Sequence, residues 1–276
     1  MLLYETPSLA DGLMLQGRHW SVDEPRAVVS LVHGFGEHCG RYEELAAELV
    51  ASRIAVVGVD LRGHGKTVGP RGVVQTYRHL HEDLKTLLQQ TATFYPEVPH
   101  FLFGHSMGGG LVLHHGLVAG DDDLLAGYLV SAPLIRIKRP ISNVVRYAIK
   151  KLSSVFPKMT MPISITGEQI STIPVEQQRY EDDLLNHNRL GFRLAIGMIE
   201  NGERLLGEAS TWTKPLCLWH SKADQINDYQ ATHQFAMTAE NCQFTSFEVA
   251  QHEMHQDTVR ADVHQLMTQF VLGSVG

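Results

Sequence analysis

A serine inside a glycine-rich turn is the residue of this chain best placed to do chemistry. Residues 104–108 have the sequence GHSMG, which matches G-x-S-x-G around Ser106. A short apolar run at 100–103 precedes the turn, and an apolar stretch with helical periodicity follows it. In a strand, turn and helix of this kind the serine stands on a strained turn, and small residues two positions away keep neighbouring backbone clear. The pattern predicts that Ser106 is a nucleophile, the alternative being a glycine-rich turn that only begins a helix.

A serine nucleophile needs a base and an acid that orients the base, and both follow Ser106 in the expected order. Asp224 stands in a loop after an apolar run at 215–220, and His252 comes soon after another run at 243–249. One helical segment and one strand separate these two residues, as the topology requires. We therefore predict Ser106, Asp224 and His252 as a triad that transfers an acyl group through an acyl-serine.

Asp228 and His255 are the alternatives for the acid and the base. Asp228 stands where the next helical segment begins, and capping that helix is its ordinary role. His255 belongs to HEMH at 252–255, which is one residue short of the zinc motif H-E-x-x-H. We prefer Asp224 and His252 because each comes first after its strand.

A second glycine-containing loop predicts the groups that stabilise negative charge on an attacked carbonyl. HGFG at 33–36 follows the apolar run at 28–32, and it can aim the N–H of Phe35 at the oxyanion. The N–H of Met107, in the first turn of the helix after Ser106, is the other donor. Each donor can lower the barrier by about 3 kcal/mol. A nucleotide-binding G-x-G-x-x-G loop is excluded here because Cys39 stands at the third glycine position.

Short β-branched runs alternate with longer helical patterns along the chain, which predicts an α/β fold. Strands are predicted at 26–32, 54–59, 100–103, 126–131, 215–220 and 243–249, and helices at 42–52, 76–94, 108–118 and 228–239. Parallel neighbours need a crossover connection, so this order predicts a mostly parallel central sheet with helices on both faces. The strand pattern stops between 134 and about 197. We predict an inserted helical cap (lid) at 134–197 over a core formed by 1–133 and 198–276, covering the edge where such sheets bind ligands.

Several of these segments together resemble a known family. HGFGEH at 33–38, RY at 41–42, DLRGHG at 60–65 and GHSMGG at 104–109 are similar to the monoacylglycerol lipase and lysophospholipase branch of the serine α/β-hydrolases, which are serine aminopeptidase-like. The resemblance implies the α/β-hydrolase fold, the triad and oxyanion donors given above, and release of a fatty acid from a glycerol monoester. The chain departs from the family pattern at Thr67, Ser221 and Gln251, where Ser, Gly and a neighbouring Gly are usual.

The same triad serves other reactions, and these stay open at this point. A lysophospholipase, a short-ester carboxylesterase, a thioesterase and a prolyl peptidase use it, and a low-turnover ligand receptor could keep the fold without the chemistry. No cofactor or metal is expected, because the 16 histidines lack Cys or carboxylate partners at ligand spacing.

Composition and charge exclude several classes of protein. The 276 residues are 43% hydrophobic and carry a net charge of −7, which argues against a surface that grips nucleic acid. No apolar run approaches the roughly 20 residues of a membrane span, and the first residues lack the basic and apolar parts of a secretory signal. The expected location is cytoplasmic, and the oligomeric state is left unassigned.

The predicted cap has a strong local charge asymmetry. Between Arg136 and Lys158 there is no acidic residue. The basic residues of this stretch are Arg136, Lys138, Arg139, Arg146, Lys150, Lys151 and Lys158. If 144–156 is a helix, its apolar residues share one face, which predicts peripheral contact with an anionic membrane. The alternative is that this face packs on the core and the basic residues are solvated.

Overall fold

A computed structural model describes residues 1–119 and 125–275 and contains one central sheet of eight strands. The strands of this sheet are β1 Leu2–Pro7, β2 Met14–Trp20, β3 Ala27–Val32, β4 Ile54–Val59, β5 His100–His105, β6 Leu125–Ser131, β9 Leu216–Ser221 and β10 Cys242–Phe247. Two further strands, β7 Thr160–Pro162 and β8 Arg189–Gly191, form a separate two-stranded ribbon. The order across the main sheet is β1-β2-β4-β3-β5-β6-β9-β10. Six neighbouring strands, β4 to β10 in that order, run parallel, whereas β1 and β2 are antiparallel at one edge.

Helices cover both faces of the sheet. They are α1 Glu43–Ala51, α2 Arg78–Phe94, α3 Met107–Val118, α4 Asn143–Val155, α5 Gly167–Ile170, α6 Pro174–Asp182, α7 Phe192–Glu208, α8 Tyr229–Thr238 and α9 Arg260–Gly273. The predicted α/β class and the mostly parallel sheet are confirmed, and all ten predicted elements agree with the structure to within two residues. Helix α9 lies outside the predicted elements, although its buried apolar residues recur at helical spacing.

Alternation along the central strands produces the two layers of the core. Successive strand side chains face opposite sides of a sheet. Val28 and Leu102 therefore join the cluster under α2, α3 and α8, while Val29 and Phe101 join the cluster under α1 and α9. Each fully buried aliphatic side chain contributes about 1.5–3 kcal/mol to folding. Both faces are apolar, so the carboxyl ends of these strands are held rigidly in one row.

The segment 134–197 differs in part from its predicted all-helical form. Residues Thr160–Pro162 and Arg189–Gly191 pair as a short antiparallel ribbon, which the sequence analysis missed because three residues are too few to show alternation. Residue 197, the predicted end of the cap, lies inside α7, a helix that packs into the main core through Leu194 and Leu205. The rest of the segment, α4 to α6, lies outside the main sheet.

Helix α4 forms where it was predicted, but its apolar face points outward. Ser142 caps the helix by accepting a hydrogen bond from Val145 N–H. Val144 is 78% exposed and Val155 69% exposed, whereas Ile149, at the margin of the same face, is buried. The alternative interpretation, in which this face packs on the core, is therefore wrong for most of its residues.

Among the described residues, no helix is long and apolar enough to cross a membrane.

Candidate active site

Ser106 sits between β5 and α3 in a conformation that non-glycine residues rarely adopt. Its φ is +54° and its ψ −116°. The N–H of Ser106 donates to the carbonyl of Ser131 at 3.0 Å, and the carbonyl of Ser106 accepts from Gly110 and Leu134. These bonds hold the residue in a strained conformation, which is a feature of functional sites. The strained turn predicted at this serine is present.

The glycines on either side of Ser106 are needed for space. A Cβ on Gly108 would lie 2.2 Å from the carbonyl oxygen of Val32, and one on Gly104 would lie 2.5 Å from the carbonyl oxygen of Gly108. No flexible side chain is involved in either contact, so the backbone itself would have to move. The small residues of the G-x-S-x-G pattern therefore let β3, β5 and α3 approach closely around Ser106.

Asp224 and His252 come together at the carboxyl ends of β9 and β10. The Nδ1 of His252 lies 2.7 Å from Asp224 Oδ2, and both side chains are buried. His220 approaches the same oxygen at 2.8 Å, while the N–H groups of Ile226 and Asn227 donate to Oδ1 at 2.7 and 3.1 Å. The carboxylate is thus fixed on both of its oxygens, and it orients the imidazole of His252 with Nδ1 toward the acid.

The electrostatics of this pair favour an ionised acid and a basic imidazole. Burial alone would raise the pKa of Asp224, but the two histidines that contact it lower that pKa far below its usual range. Burial alone would lower the pKa of His252, but the charge and hydrogen bond of Asp224 raise it above its ordinary value. Such opposed shifts match the task of a general base and its orienting acid.

The two alternative residues have other roles. Asp228 caps α8 by accepting from Gln230 N–H at 3.0 Å, and it pairs with Arg136 at 2.8 Å. His255 stacks on Tyr42 with ring centroids 4.7 Å apart, and burial keeps its pKa well below the ordinary value. The geometry therefore brings together Asp224 and His252, the preferred residues.

The loop that carries Phe35 is held by a buried histidine. His33 Nε2 accepts from the N–H of Leu61 at 2.9 Å, so the ring proton is on Nδ1, which lies 2.7 Å from the carbonyl of Gly34. Burial lowers the pKa of His33 to about 4, so the ring stays neutral and keeps this arrangement at neutral pH. The first residue of HGFG therefore fixes the loop.

Phe35 and Met107 flank Ser106, as the prediction requires. A Cβ on Gly34 would lie 3.2 Å from Ser106 Cβ, which places the Phe35 loop against the serine. Met107 is the first residue of α3, so its N–H lacks an intrahelical partner. The side chain of Phe35 packs edge-on against His64 and His187 at 5.7 and 5.4 Å and lines the cavity above Ser106.

One cavity of about 360 Å³ contains Ser106 and His252 and extends beneath the segment 134–197. Both the segment 134–197 and the rest of the chain contribute to its apolar lining. The residues are Phe35, Leu134, Ile137, Ile163, Ile165, Ile170, Leu190, Met198 and Ile226. Its polar lining includes Glu37, Gln169, Tyr180 and Glu253, with Arg139 also in contact. The site therefore offers a mainly aliphatic surface together with a group of polar side chains.

The polar region is built on a buried arginine between two carboxylates. Arg41 Nη2 pairs with Glu253 at 2.6 Å, and Arg41 Nε lies 3.4 Å from Glu37. Burial and the neighbouring Glu253 raise the pKa of Glu37 to about 7. Glu37, Glu253 and His105 each place a metal-ligating atom within 4.8 Å of the others. Arg41 neutralises one carboxylate, and the raised pKa of Glu37 lets the other hold a proton, so the cluster is explained without a metal.

The three departures from the family pattern are accommodated by hydrogen bonds. Thr67 Oγ1 donates to Asp60 O at 2.5 Å. Ser221 Oγ donates to Ala250 O in a short hydrogen bond that joins the acid loop to the histidine loop. Gln251 N–H donates to Asp257 at 2.6 Å. These positions brace the loops around the site.

The segment 134–197 is bonded directly to both loops that flank Ser106. The N–H groups of His252 and Glu253 donate to the carbonyls of residues 169 and 170 at 3.2 and 2.9 Å. On the other side, the N–H of His187 donates to the carbonyl of Gly36 at 2.8 Å. The conformation of the loops that carry His252 and Phe35 therefore depends on the segment above them.

Sequence reasoning missed several residues that shape this site. His220 was counted only as the end of a strand, and Glu253 only as part of HEMH. The signal that could have identified His220 is its position as a polar residue at the end of a strand that is otherwise apolar. Glu253 and its partner Arg41 are 212 positions apart, so no local pattern could have paired them.

Comparisons with known proteins agree with this geometry. The profile of the family described as serine aminopeptidase, S33 (Hydrolase_4), matches residues 23–259. An uncharacterized abhydrolase domain-containing protein of Dictyostelium discoideum is 34% identical over 227 residues, which are 82% of this chain but only 24% of that protein. A monoacylglycerol lipase of Mycolicibacterium smegmatis is 30% identical over 209 residues, 75% of this chain and 74% of that protein.

A solved structure shows the same fold. The soluble variant of monoglyceride lipase from Saccharomyces cerevisiae, crystallised with a substrate analog, aligns with a TM-score of 0.86 at 23% identity, over 98% of this chain and 96% of that one. The sheet order, the family profile and the similarity to the mycobacterial enzyme lead to one conclusion. The chain belongs to the serine aminopeptidase S33 family of α/β-hydrolases and, within it, to the branch that contains the monoacylglycerol lipases.

Proposed function

We propose that this chain is a carboxylic ester hydrolase that cleaves monoacylglycerol to a fatty acid and glycerol. The observation that carries the proposal is that His252, 2.7 Å from the buried Asp224, lines the same aliphatic cavity as the strained Ser106. Aliphatic side chains suit an acyl chain, and the polar region of Glu37 and Tyr180 suits the hydroxyl groups of glycerol.

Acylation begins when His252 Nε2 takes the proton of Ser106 Oγ and the oxygen attacks the ester carbonyl. The N–H groups of Phe35 and Met107 donate to the oxyanion that forms. Asp224 stabilises the imidazolium, which then protonates the departing alcohol oxygen. Glycerol leaves, and the acyl group remains on Ser106 as an ester.

Deacylation repeats these steps with water. His252 removes a proton from a water molecule, the hydroxide attacks the acyl-serine, and the same two N–H groups hold the second oxyanion. The imidazolium returns its proton to Ser106 Oγ, which releases the fatty acid. Besides the ester and one water molecule, the steps need no further reactant to balance protons and electrons.

The test is hydrolysis of monoacylglycerols of graded chain length beside short p-nitrophenyl esters and an acyl thioester. We expect cleavage of the long-chain monoacylglycerols, and its loss in Ser106→Ala with folding unchanged. Turnover of short activated esters alone would reject the lipid substrate but keep the hydrolase. Activity that survives Ser106→Ala would reject the nucleophile.

A lysophospholipid is the second candidate substrate, favoured by one observation. Arg139 lies against the cavity, is exposed, and forms no ion pair with any described residue. A guanidinium in this place suits a phosphodiester head group. Lysophosphatidylcholine and monoacylglycerol of equal chain length, compared in wild type and Arg139→Ala, separate the two. A selective loss on the lysophospholipid would support this candidate.

We propose further that α4 rests on lipid surfaces. Its outward side carries Val144, Tyr147, Leu152 and Val155, and Phe156 follows its last residue; each of the five is at least 40% exposed. Arg146 and Lys150 pair with Glu203 and Glu200 of α7, so they hold the helix on the protein. Lys138, Arg139, Lys151 and Lys158 form no ion pairs with described residues and remain available to anionic lipid.

The test is binding to vesicles with and without phosphatidylglycerol. Burying two valine side chains contributes about 3 kcal/mol, so the pair Val144→Ser and Val155→Ser should weaken binding about 100-fold. Val68 and Val249, elsewhere on the surface, are 64% and 65% exposed, and their Ser variants serve as the matched control. Equal binding by the two double variants would reject α4 as the contact, and binding without regard to lipid charge would reject the basic contribution.

A further inference from the structure

Asn227 is a buried residue beside the proposed nucleophile that the mechanism above does not use. It lies three positions after Asp224 in the loop between β9 and α8 and is 0% exposed. Its Nδ2 donates to the carbonyl of Ala132 at 2.8 Å and lies 3.5 Å from Ser106 Oγ in hydrogen-bonding geometry. We infer that Asn227 is a positioning residue that directs the hydroxyl hydrogen of Ser106 toward His252.

The orientation of the Asn227 amide follows from its neighbours. The carbonyl of Ala132 can only accept a hydrogen bond, so the nitrogen and not the oxygen of the amide faces it. An amide nitrogen carries two hydrogens, and the second is available to Ser106 Oγ. The Oδ1 of Asn227 has no partner among the described residues, so the side chain is held by its donor side.

The surroundings of Asn227 are rigid. Its main-chain N–H donates to Asp224 Oδ1 at 3.1 Å, which ties the residue to the acid of the triad. Ala132, which receives the amide, has a φ of +41° and donates its own N–H to the carbonyl of Trp219 at 2.9 Å. Asn227 thus links the acid loop to two strained residues, Ala132 and Ser106.

This placement has a direct chemical consequence. A serine oxygen has one hydrogen and two lone pairs. A donor on one lone pair restricts rotation of the hydroxyl and leaves its hydrogen for the base. During attack the proton moves from Ser106 Oγ to His252 Nε2, and Asn227 keeps both of its hydrogens. Its hydrogen bond shortens as charge develops on Oγ, because charge-assisted bonds are shorter and stronger. The inference rests on the proposed role of Ser106.

Asn201 provides a matched control for the experiment. Asn201 is also buried, and its Nδ2 donates to the carbonyl of Gly110 in α3 at 3.0 Å. Its Oδ1, like that of Asn227, has no hydrogen-bond partner among the described residues. It does not contact Ser106. Asn227→Leu and Asn201→Leu therefore remove the same kind of structural bond, and only the first removes a contact with the nucleophile.

The readouts are the rate constant for labelling of Ser106 by a fluorophosphonate ester, kcat, KM and Tm. Both variants should lose similar thermal stability. Asn227→Leu should lower the labelling rate and kcat about tenfold, equivalent to about 1.4 kcal/mol, with KM within twofold. Asn201→Leu should keep the wild-type labelling rate. If Asn227→Leu does not fold, Asn227→Ala takes its place with the same expected losses.

Two results would overturn this inference. In the first, Asn227→Leu is labelled at the wild-type rate while its Tm falls, which would mean that Asn227 has only a structural role. In the second, the labelling rate of Asn201→Leu falls as much as that of Asn227→Leu. Failure of the probe to label Ser106 in the wild-type enzyme is a different result, because it rejects the proposed nucleophile itself.

Discussion

Replacing Asp224 by asparagine should lower kcat severely by reversing the tautomer of His252. Two main-chain N–H groups, of Ile226 and Asn227, donate to Oδ1 of the acid at 2.7 and 3.1 Å. They cannot accept, so the carbonyl oxygen of an asparagine must occupy this position. Its NH₂ group is then forced toward the histidines, where Oδ2 now lies 2.8 Å from His220 Nε2 and 2.7 Å from His252 Nδ1.

The magnitude follows from what this NH₂ group does. It donates to His252 Nδ1, which moves the ring proton to Nε2 and leaves no lone pair for Ser106. The same tautomer change in a serine protease lowers kcat about 10⁴-fold, which corresponds to about 5.4 kcal/mol of barrier. We expect a loss of this size in Asp224→Asn, with KM little changed.

The assay is steady-state hydrolysis of a long-chain monoacylglycerol together with thermal unfolding. Asp228→Asn is the matched control, because Asp228 is a carboxylate four positions away that caps α8 and does not contact His252. Its kcat should stay within twofold of wild type. Retention of more than a tenth of kcat by Asp224→Asn, or an equal loss in Asp228→Asn, would refute the reasoning.

Three further outcomes are expected. His252 must be neutral to act as a base, and its pKa is raised above 6.5, so kcat/KM should fall as the pH drops through that raised pKa. In Asp224→Asn the acidic limb of the residual activity should move to lower pH, because burial of His252, which lowers its pKa, is then no longer opposed by the carboxylate. His33→Ala should lower kcat about 100-fold, as loss of one oxyanion donor does, since the loop loses its brace; an unchanged kcat in steady-state assays would contradict this. Gly72→Ala should lower the free energy of unfolding by about 3 kcal/mol, which calorimetry would show as a fall in Tm of roughly 6–12 °C. The reason is that φ of Gly72 is +67° and a Cβ there would lie 1.7 Å from the carbonyl oxygen of Arg189. Gly69→Ala, where φ is +129° but the space is open, should lower Tm clearly less.

The sequence was informative where chemistry depends on order along the chain. The carboxyl ends of parallel strands share one sheet edge, so the positions of Asp224 and His252 after successive strands predict their meeting. The strand and helix patterns of the core were equally clear because both faces of the sheet are buried. By contrast, β1 and β2 form an exposed antiparallel edge, and in β1 adjacent Leu2 and Leu3 are both exposed, so no alternation appears.

Other features depend on contacts that no local pattern contains. The apolar side of α4 was visible, but its direction depends on the ion pairs of Arg146 and Lys150 with α7, more than forty positions away. The amide of Asn227 became notable only through its distance to Ser106, 121 positions earlier. Such partners are chosen by tertiary packing, which a single sequence leaves open.

Residues 169, 170 and 187 are hydrogen-bonded to the loops that carry His252 and Phe35, so the two halves of the segment 134–197 can change at different cost. A substitution or insertion in α4 meets solvent on one side and leaves His252 and the Phe35 loop untouched. A comparable change near 169–191 shifts the backbone that accepts from His252 and donates to Gly36, and so disturbs the chemistry along with the pocket. New surface attachments are therefore more accessible to mutation through α4, while the other half can vary only as far as the His252 and Phe35 loops tolerate.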